Sequence, residues 1–220
     1  MARLARRRVF FIRHGRTAWN EAMRFQGRTD VPLDEAGRSQ AESLAARMAG
    51  WRGLRLYSST LSRAMETARI ISEACDGTIE PRDGLVEICF GEWEGMTLPE
   101  VKSADPDYVV RWRRNPFECV PPGGETFEAI RERLAPVLDE AFEADGRVAV
   151  VCHGGIIRAA LYMLLGLSGE AAWRTRLGNC SVTGVEAGKR GMSLLFVNDC
   201  VHSFVDDGDR GILPGIPFSL

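Results

Sequence analysis

The stretch that decides the fold is VFFIRHG, residues 9–15, in which four apolar residues run directly into an arginine, a histidine and a glycine. A continuous apolar run of this kind is typical of a strand in a parallel sheet that is covered on both faces. The pattern returns at residues 148–154, where VAVVC is followed by His153 and Gly154. Because the carboxyl ends of parallel strands meet at one edge of a sheet, we expect His14 and His153 to face each other across one crevice.

Helical and apolar patterns alternate along the 220 residues, which predicts one α/β domain over residues 1–220. The fold class that we predict is a three-layer α/β/α sandwich around a mostly parallel sheet. The predicted strands cover residues 9–12, 54–57, 148–152, 181–186 and 193–198. Residues 76–124 contain six prolines and two tryptophans without a clear period, and we expect them to form an irregular covering insertion. Pro136 predicts a kink or a break in the long helix that starts near Glu125.

Composition argues against several classes of function. The 28 basic and 30 acidic side chains give a formal charge of −2, so we expect no nucleic-acid partner. The most apolar helical stretch, residues 156–167, contains Arg158 and is too short to span a bilayer, which predicts no membrane partner. The apolar run that follows the basic start of the chain is too short for a signal peptide, so we expect a cytoplasmic protein with reduced cysteines. The three histidines lack the local spacing of a zinc site, and we expect no metal.

Cationic side chains lie where these strands end. A buried arginine beside His14 is electrostatically costly unless an anion joins them, so Arg13 indicates an anion site. Gly15 would leave room for an approaching ligand. Arg63 lies at the start of the helix after the second strand, where a helix N-terminus and a planar guanidinium suit phosphate, although a solvated arginine is the alternative. Ser59 is a candidate cap of that helix.

A carboxylate near this clamp could serve as a general acid. The stretch GLVEICFGEWEG, residues 84–95, offers Glu87, Glu92 and Glu94. Spacing alone does not choose among the three.

Four ordered stretches resemble the histidine phosphatase superfamily, also called the phosphoglycerate mutase-like family. The matching residues are Arg13-His14-Gly15, the segment 59–68 with Arg63, Glu87 with Phe90-Gly91 behind it, and His153-Gly154. The resemblance spans most of the chain, and it implies a phosphate monoester chemistry that needs neither metal nor cofactor.

The resemblance implies a role for each matching residue. His14 would be the nucleophile that becomes phosphohistidine, and Glu87 would be the proton donor. The implied phosphate and substrate site consists of Arg13, Thr17, Asn20, Gln26, Gly27, Arg63, His153 and Gly154.

Three basic features have no role that the resemblance assigns. Arg16 stands where the family often has Glu or Gln, and it would either make the site mouth more positive or point to solvent. The arginines of the segment 111–114 would either line the mouth or form a solvated helix face above a packed Trp112. His202 is expected to be a surface or packing histidine.

The expected activity is hydrolysis of small phosphorylated metabolites. Cofactor-dependent mutases of the family typically carry Tyr-Gly-x-Leu-x-Gly after the acidic residue, whereas this chain has FGEWEG at residues 90–95. That difference resembles the phosphatase branch, which includes α-ribazole phosphatases, fructose-2,6-bisphosphatases and broad-specificity phosphatases. A cofactor-dependent mutase and a non-catalytic phospho-ligand binding module are the alternatives. The sequence is compatible with a monomer or a homodimer.

Overall fold

A computed structural model describes residues 7–203 of the chain. Six strands occur there: β1 (Arg7–Arg13), β2 (Arg55–Ser58), β3 (Thr78–Pro81), β4 (Val148–Cys152), β5 (Val182–Gly188) and β6 (Gly191–Asp199). The same residues form eight α-helices: α1 (Ala18–Glu21), α2 (Glu35–Met48), α3 (Ser62–Cys75), α4 (Leu98–Ala104), α5 (Pro106–Arg114), α6 (Phe127–Glu143), α7 (Gly154–Leu165) and α8 (Gly169–Arg174). Three 3₁₀ turns cover Asp83–Leu85, Gly91–Trp93 and Val201–Ser203.

The strands form one mixed sheet in the order β3-β2-β4-β1-β5-β6. The first four strands of this order are parallel, whereas β5 runs antiparallel to both β1 and β6. The two apolar strands of the sequence are therefore neighbours, and their pairing ends with Arg13 opposite Cys152. This arrangement confirms the predicted mostly parallel sheet and the adjacency on which the expected crevice depends.

Two apolar cores cover the two faces of the sheet, which confirms the predicted three layers. On one face, α2 and α3 pack against Phe10, Ile12 and Leu56 of the strands. On the other face, α6 and α7 pack against Phe11 and Val150. Alternate residues of β1 enter opposite cores because successive strand side chains point to opposite faces.

Residues 76–124 are more regular than their composition predicted. They contain β3, two of the 3₁₀ turns, α4 and α5. The sequence pattern missed β3 because this edge strand buries none of its residues completely and so lacks an apolar run. Trp93 and Trp112 are buried with ring centroids 5.2 Å apart, so the segment carries part of the core.

Of the kink or break predicted at Pro136, the break does not occur, because α6 runs without interruption from Phe127 to Glu143. Leu134 and Val137 on either side of the proline are buried in the same core. That packing stabilises the turns on both sides of the missing backbone donor. No helix among residues 7–203 has the length and apolarity needed to cross a membrane.

Two backbone segments cross closely at Gly15, after the end of β1, and at Gly37, in the first turn of α2. This contact is called the glycine crossing. A Cβ atom on Gly15 would lie 2.4 Å from the carbonyl oxygen of Gly37, and one on Gly37 would lie 2.1 Å from that of Arg16. The expectation that Gly15 makes room for a ligand therefore needs correction. Both glycines are required because two backbone segments approach each other too closely for a side chain.

We predict that Gly37→Ala lowers the free energy of unfolding by about 1–3 kcal/mol, because its new methyl group would push the backbone after His14 away from α2. Gly50→Ala is the matched control, since nothing lies within 4 Å of the Cβ position there. Urea unfolding of both variants measures the difference. Equal stability of the two variants would contradict the steric role of the crossing.

Candidate active site

The imidazole of His14 lies just beyond the end of β1 and is only 3% exposed. Its backbone N–H donates to the carbonyl oxygen of Cys152 at 2.9 Å, which continues the β1–β4 ladder by one residue. Its Nδ1 atom lies 2.7 Å from the carbonyl oxygen of Gly15. Because a carbonyl only accepts hydrogen bonds, Nδ1 carries the proton and Nε2 is left with a free lone pair.

His153 lies opposite, as the sequence predicted, with the two ring centroids 5.1 Å apart. It is the N-cap residue of α7 and is fully buried. Arg63 Nε donates to its Nδ1 at 3.2 Å, so the ring proton is on Nε2, which lies 2.8 Å from the hydroxyl of Ser59. Ser59 was expected to cap the next helix, but the N-cap residue is Leu61 and the hydroxyl instead holds His153.

Two backbone carbonyls fix the buried guanidinium of Arg63. Its Nη1 donates to Thr29 at 2.8 Å and its Nη2 donates to Gly27 at 2.7 Å. The start of α3 itself is not a free anion site, because Asp30 accepts hydrogen bonds from the amide and hydroxyl of Ser62. The positive charge beside His153 therefore comes from the guanidinium of Arg63, and not from the helix N-terminus.

Two further guanidiniums lie beside the first turn of α7. Arg13 is half-buried, donates to the carbonyl of Leu177 at 2.6 Å, and has a buried Nε with no partner among residues 7–203. Arg158 was not among the predicted site residues, yet its Nη1 and the Nε of Arg13 both flank the space beside Gly154. Burial, and then the charge of Arg13, lower the pKa of Arg158 to about 10. A position four residues after Gly154, on the same helix face, was the sequence signal for this arginine.

Burial and positive charge keep both histidines neutral. Desolvation is the largest cause that lowers the pKa of His14 well below 6.5, followed by the charges of Arg63 and Arg13. The pKa of His153 is lowered in the same way, first by burial and then by Arg63. The site therefore combines an unprotonated ring nitrogen with fixed positive charge.

The carboxylate of Glu87 is buried against the N-terminus of α7. It accepts hydrogen bonds from the amides of Gly155 at 3.1 Å, Ile156 at 3.2 Å and Ile88 at 2.9 Å. A Cβ atom on Gly155 would lie 2.5 Å from Glu87 Oε1, so the glycine allows this close approach. Glu87 thus reaches the turn that follows His153.

The other two candidate carboxylates lie elsewhere. Glu92 is exposed, and Glu94 is used structurally. Glu94 accepts hydrogen bonds from the amides of Arg28, Thr29 and Phe90, and so ties the loop that holds Arg63 to the turn at residues 91–93. Burial and contacts therefore single out Glu87 where spacing could not.

The polar residues expected around the phosphate form one network. Thr17 is the N-cap of α1 and donates to Gln26 Oε1 at 3.0 Å. Asn20 Oδ1 accepts a hydrogen bond from the backbone amide of Thr17 at 3.1 Å. Sequence reasoning missed Asn179, whose Nδ2 donates to the carbonyl of His14 at 3.0 Å and to Asn20 Oδ1 at 3.2 Å. Its place just before β5, the neighbour of β1, was the signal.

Arg16 is partly exposed, and its positive charge is paired with carboxylates. Its Nε donates to Asp34 at 2.9 Å and its Nη1 pairs with Glu21. On α5, Trp112 is buried and the arginines of residues 111–114 are exposed, which agrees with the solvated-face alternative. His202 lies beside Arg47 on the α2 side of the molecule, as expected of a packing histidine.

Within the described chain, no group of three or more His, Cys, Asp and Glu side chains is arranged to hold a metal ion.

Comparison with known proteins agrees with the site. The family model of the histidine phosphatase superfamily (branch 1) matches residues 9–200. A Yersinia pestis protein named as a probable phosphoglycerate mutase GpmB is 33% identical over 180 residues, which cover 81% of this chain and 84% of that protein. A mycobacterial glucosyl-3-phosphoglycerate phosphatase is similar in structure, with a TM-score of 0.78 and 28% identity over 88% of this chain and 99% of that one.

A phosphoserine phosphatase from Entamoeba histolytica, solved with 3-phosphoglyceric acid, also has a TM-score of 0.78, with 28% identity over 89% of this chain and 98% of that one. The match of the family model extends over most of the chain and includes every residue placed in the site above. The chain belongs to the histidine phosphatase superfamily.

Proposed function

We propose that the protein is a phosphomonoesterase that hydrolyses small phosphorylated metabolites through a phosphohistidine at His14. The observation that carries the proposal is the state of His14, a buried imidazole with its proton held on Nδ1 by Gly15 and a free Nε2. It lies beside His153 and among buried arginines. An uncharged nitrogen nucleophile within fixed positive charge suits attack on a dianionic phosphate.

The first step transfers the phosphoryl group. Nε2 of His14 attacks phosphorus in line, the bond from phosphorus to the ester oxygen breaks, and the leaving oxygen takes a proton from Glu87. In the second step, water attacks the phosphohistidine and gives its proton to Glu87, which releases inorganic phosphate and restores His14.

The arginines supply the electrostatic stabilisation. Charge spreads over three equatorial oxygens of the phosphoryl group in the transition state. The guanidinium of Arg63 is held by two carbonyls before any ligand arrives, so it need not reorganise during the reaction. The unpartnered Nε of Arg13 is a buried donor that an anion would satisfy.

The substrate that we propose is a small phosphate monoester, because the structural relatives named above are phosphatases of such compounds. A phosphoglycerate mutase is the second candidate, supported by the name of the Yersinia relative. Isomerisation of 3-phosphoglycerate in the presence of 2,3-bisphosphoglycerate, at a rate above that of phosphate release, would favour the mutase.

We also propose that the protein forms one domain and acts in the cytoplasm. Its six cysteines are all free thiols, as is usual in a reducing compartment.

Replacing the nucleophile tests the proposal directly. We expect His14→Ala to lower kcat for p-nitrophenyl phosphate by about 1,000-fold or more, because no other imidazole among residues 7–203 presents a free nitrogen to the arginines. His202→Ala is the control, since that histidine packs beside Arg47 and should leave turnover unchanged. Phosphate release assays and circular dichroism measure activity and folding. Near wild-type turnover in a folded His14→Ala variant would disprove the mechanism.

The role of Glu87 predicts a dependence on the leaving group. Glu87→Gln cannot donate a carboxyl proton, and we expect about a 100-fold loss of kcat/KM for an alkyl phosphate. The loss for p-nitrophenyl phosphate should be far smaller, because nitrophenolate leaves without a proton. The exposed Glu92, changed to Gln, serves as the matched control. Equal losses on both substrates would exclude Glu87 as the acid.

A further inference from the structure

One largely buried arginine outside the phosphate site, Arg133, contacts the segment that carries Glu87. We propose that Arg133 of α6 is a positioning residue, which holds the main chain of residues 84–89 so that Glu87 reaches the N-terminus of α7. The inference rests on the proposed function, because it assigns a purpose to the placement of the acid. Arg133 takes no part in the mechanism described above.

The segment that carries Glu87 begins in the 3₁₀ turn Asp83–Leu85 and ends before the turn at Gly91–Trp93. It belongs to no strand or α-helix. Its backbone carbonyls therefore have no ladder to join, and buried carbonyls require partners from elsewhere. A side chain with several donors in one plane can supply them together.

Arg133 supplies these partners. Its Nη1 donates to the carbonyls of Gly84 at 2.8 Å and Val86 at 2.7 Å, and its Nη2 lies 3.3 Å from the carbonyl of Glu87. The turn also sits tightly on α6, since a Cβ atom on Gly84 would lie 2.2 Å from the carbonyl oxygen of Arg133. One guanidinium thus contacts the main chain at Glu87, at Val86 just before it and at Gly84.

Glu125 orients the guanidinium. It accepts hydrogen bonds from Arg133 Nε at 2.8 Å and Nη2 at 2.9 Å, and the two side chains are only 17% and 8% exposed. Its own amide donates to the carbonyl of Cys89 at 2.9 Å, which ties the other end of the segment. A bidentate pair of this kind leaves the arginine one geometry.

The carboxylate of Glu125 also contacts the loop that holds Arg63. Arg28 Nη2 donates to Glu125 Oε1 at 2.7 Å. Arg28 lies between Gly27 and Thr29, whose carbonyls hold Arg63. Glu125 and Arg133 therefore connect the acid to the loop that positions the phosphate clamp.

A displaced Glu87 should lower activity as a missing Glu87 does, but only for substrates whose leaving group needs a proton. We expect Arg133→Met to lower kcat/KM for ethyl phosphate by about 100-fold, since a displacement of about 1 Å can have that effect. Because kcat/KM covers only the steps up to departure of the leaving group, the loss for p-nitrophenyl phosphate should be several-fold at most. Arg131→Met, an exposed arginine paired with Glu128 on the same helix, should change neither value.

Two further variants separate positioning from general damage. Arg133→Lys keeps the charge but loses the planar fork, so its leaving-group dependence should lie between those of wild type and Arg133→Met. In a Glu87→Gln background, Arg133→Met should add little further loss on ethyl phosphate, because the two residues act through one proton transfer. Circular dichroism and thermal unfolding report whether each variant is folded, and Arg133→Lys provides the test if Arg133→Met does not fold.

The outcomes distinguish this inference from the proposed function. If wild type hydrolyses both phosphates and the Arg133 variants lose both equally, or lose neither, the positioning role is wrong and the proposed function stands. Full additivity with Glu87→Gln would also overturn the positioning role. If wild type hydrolyses neither phosphate, the proposed function is wrong and the inference falls with it.

Discussion

The pairing of β1 with β4 is the constraint on which the site depends. The two strands are parallel and in a register that ends with Arg13 opposite Cys152. The residue that follows each strand end is therefore a histidine. The hydrogen bond from the His14 amide to Cys152 extends this register into the site. A slip of one residue would turn every side chain of one strand to the other face, which would separate the two imidazoles and exchange the residues of the two cores.

Main-chain carbonyls accept hydrogen bonds from the site arginines and from His14, and so fix where these groups lie. They hold Arg63 through Gly27 and Thr29, Arg13 through Leu177, and the Nδ1 proton of His14 through Gly15. Loops on the surface of an α/β fold have carbonyls that no strand or helix uses, and guanidiniums satisfy them. On α6, Arg133 donates to loop carbonyls in the same way, so the contacts that satisfy this loop also place Glu87.

Much of the fold and the central residues of the candidate site could be predicted from the sequence. The spacing of apolar residues and the histidines that follow two apolar strands can both be seen within short stretches of the chain. The layers, the neighbouring histidines and the buried face of α3 follow from them. The sequence could not reveal that Ser59 holds His153, that Asn179 braces His14, or that Gly15 faces Gly37. Those contacts join residues far apart in the chain, and only the packed fold brings them together.

The complete burial of Arg63 has a consequence for the influence of ionic strength. Dissolved ions screen charges that solvent reaches, over a Debye length of about 8 Å at physiological salt, and they act much less on buried ones. An anion that approached the protein would meet exposed guanidiniums such as that of Arg111 through this screened medium. If the site binds a phosphate compound as proposed, added salt would slow its arrival more than it would weaken its binding once it is in the site.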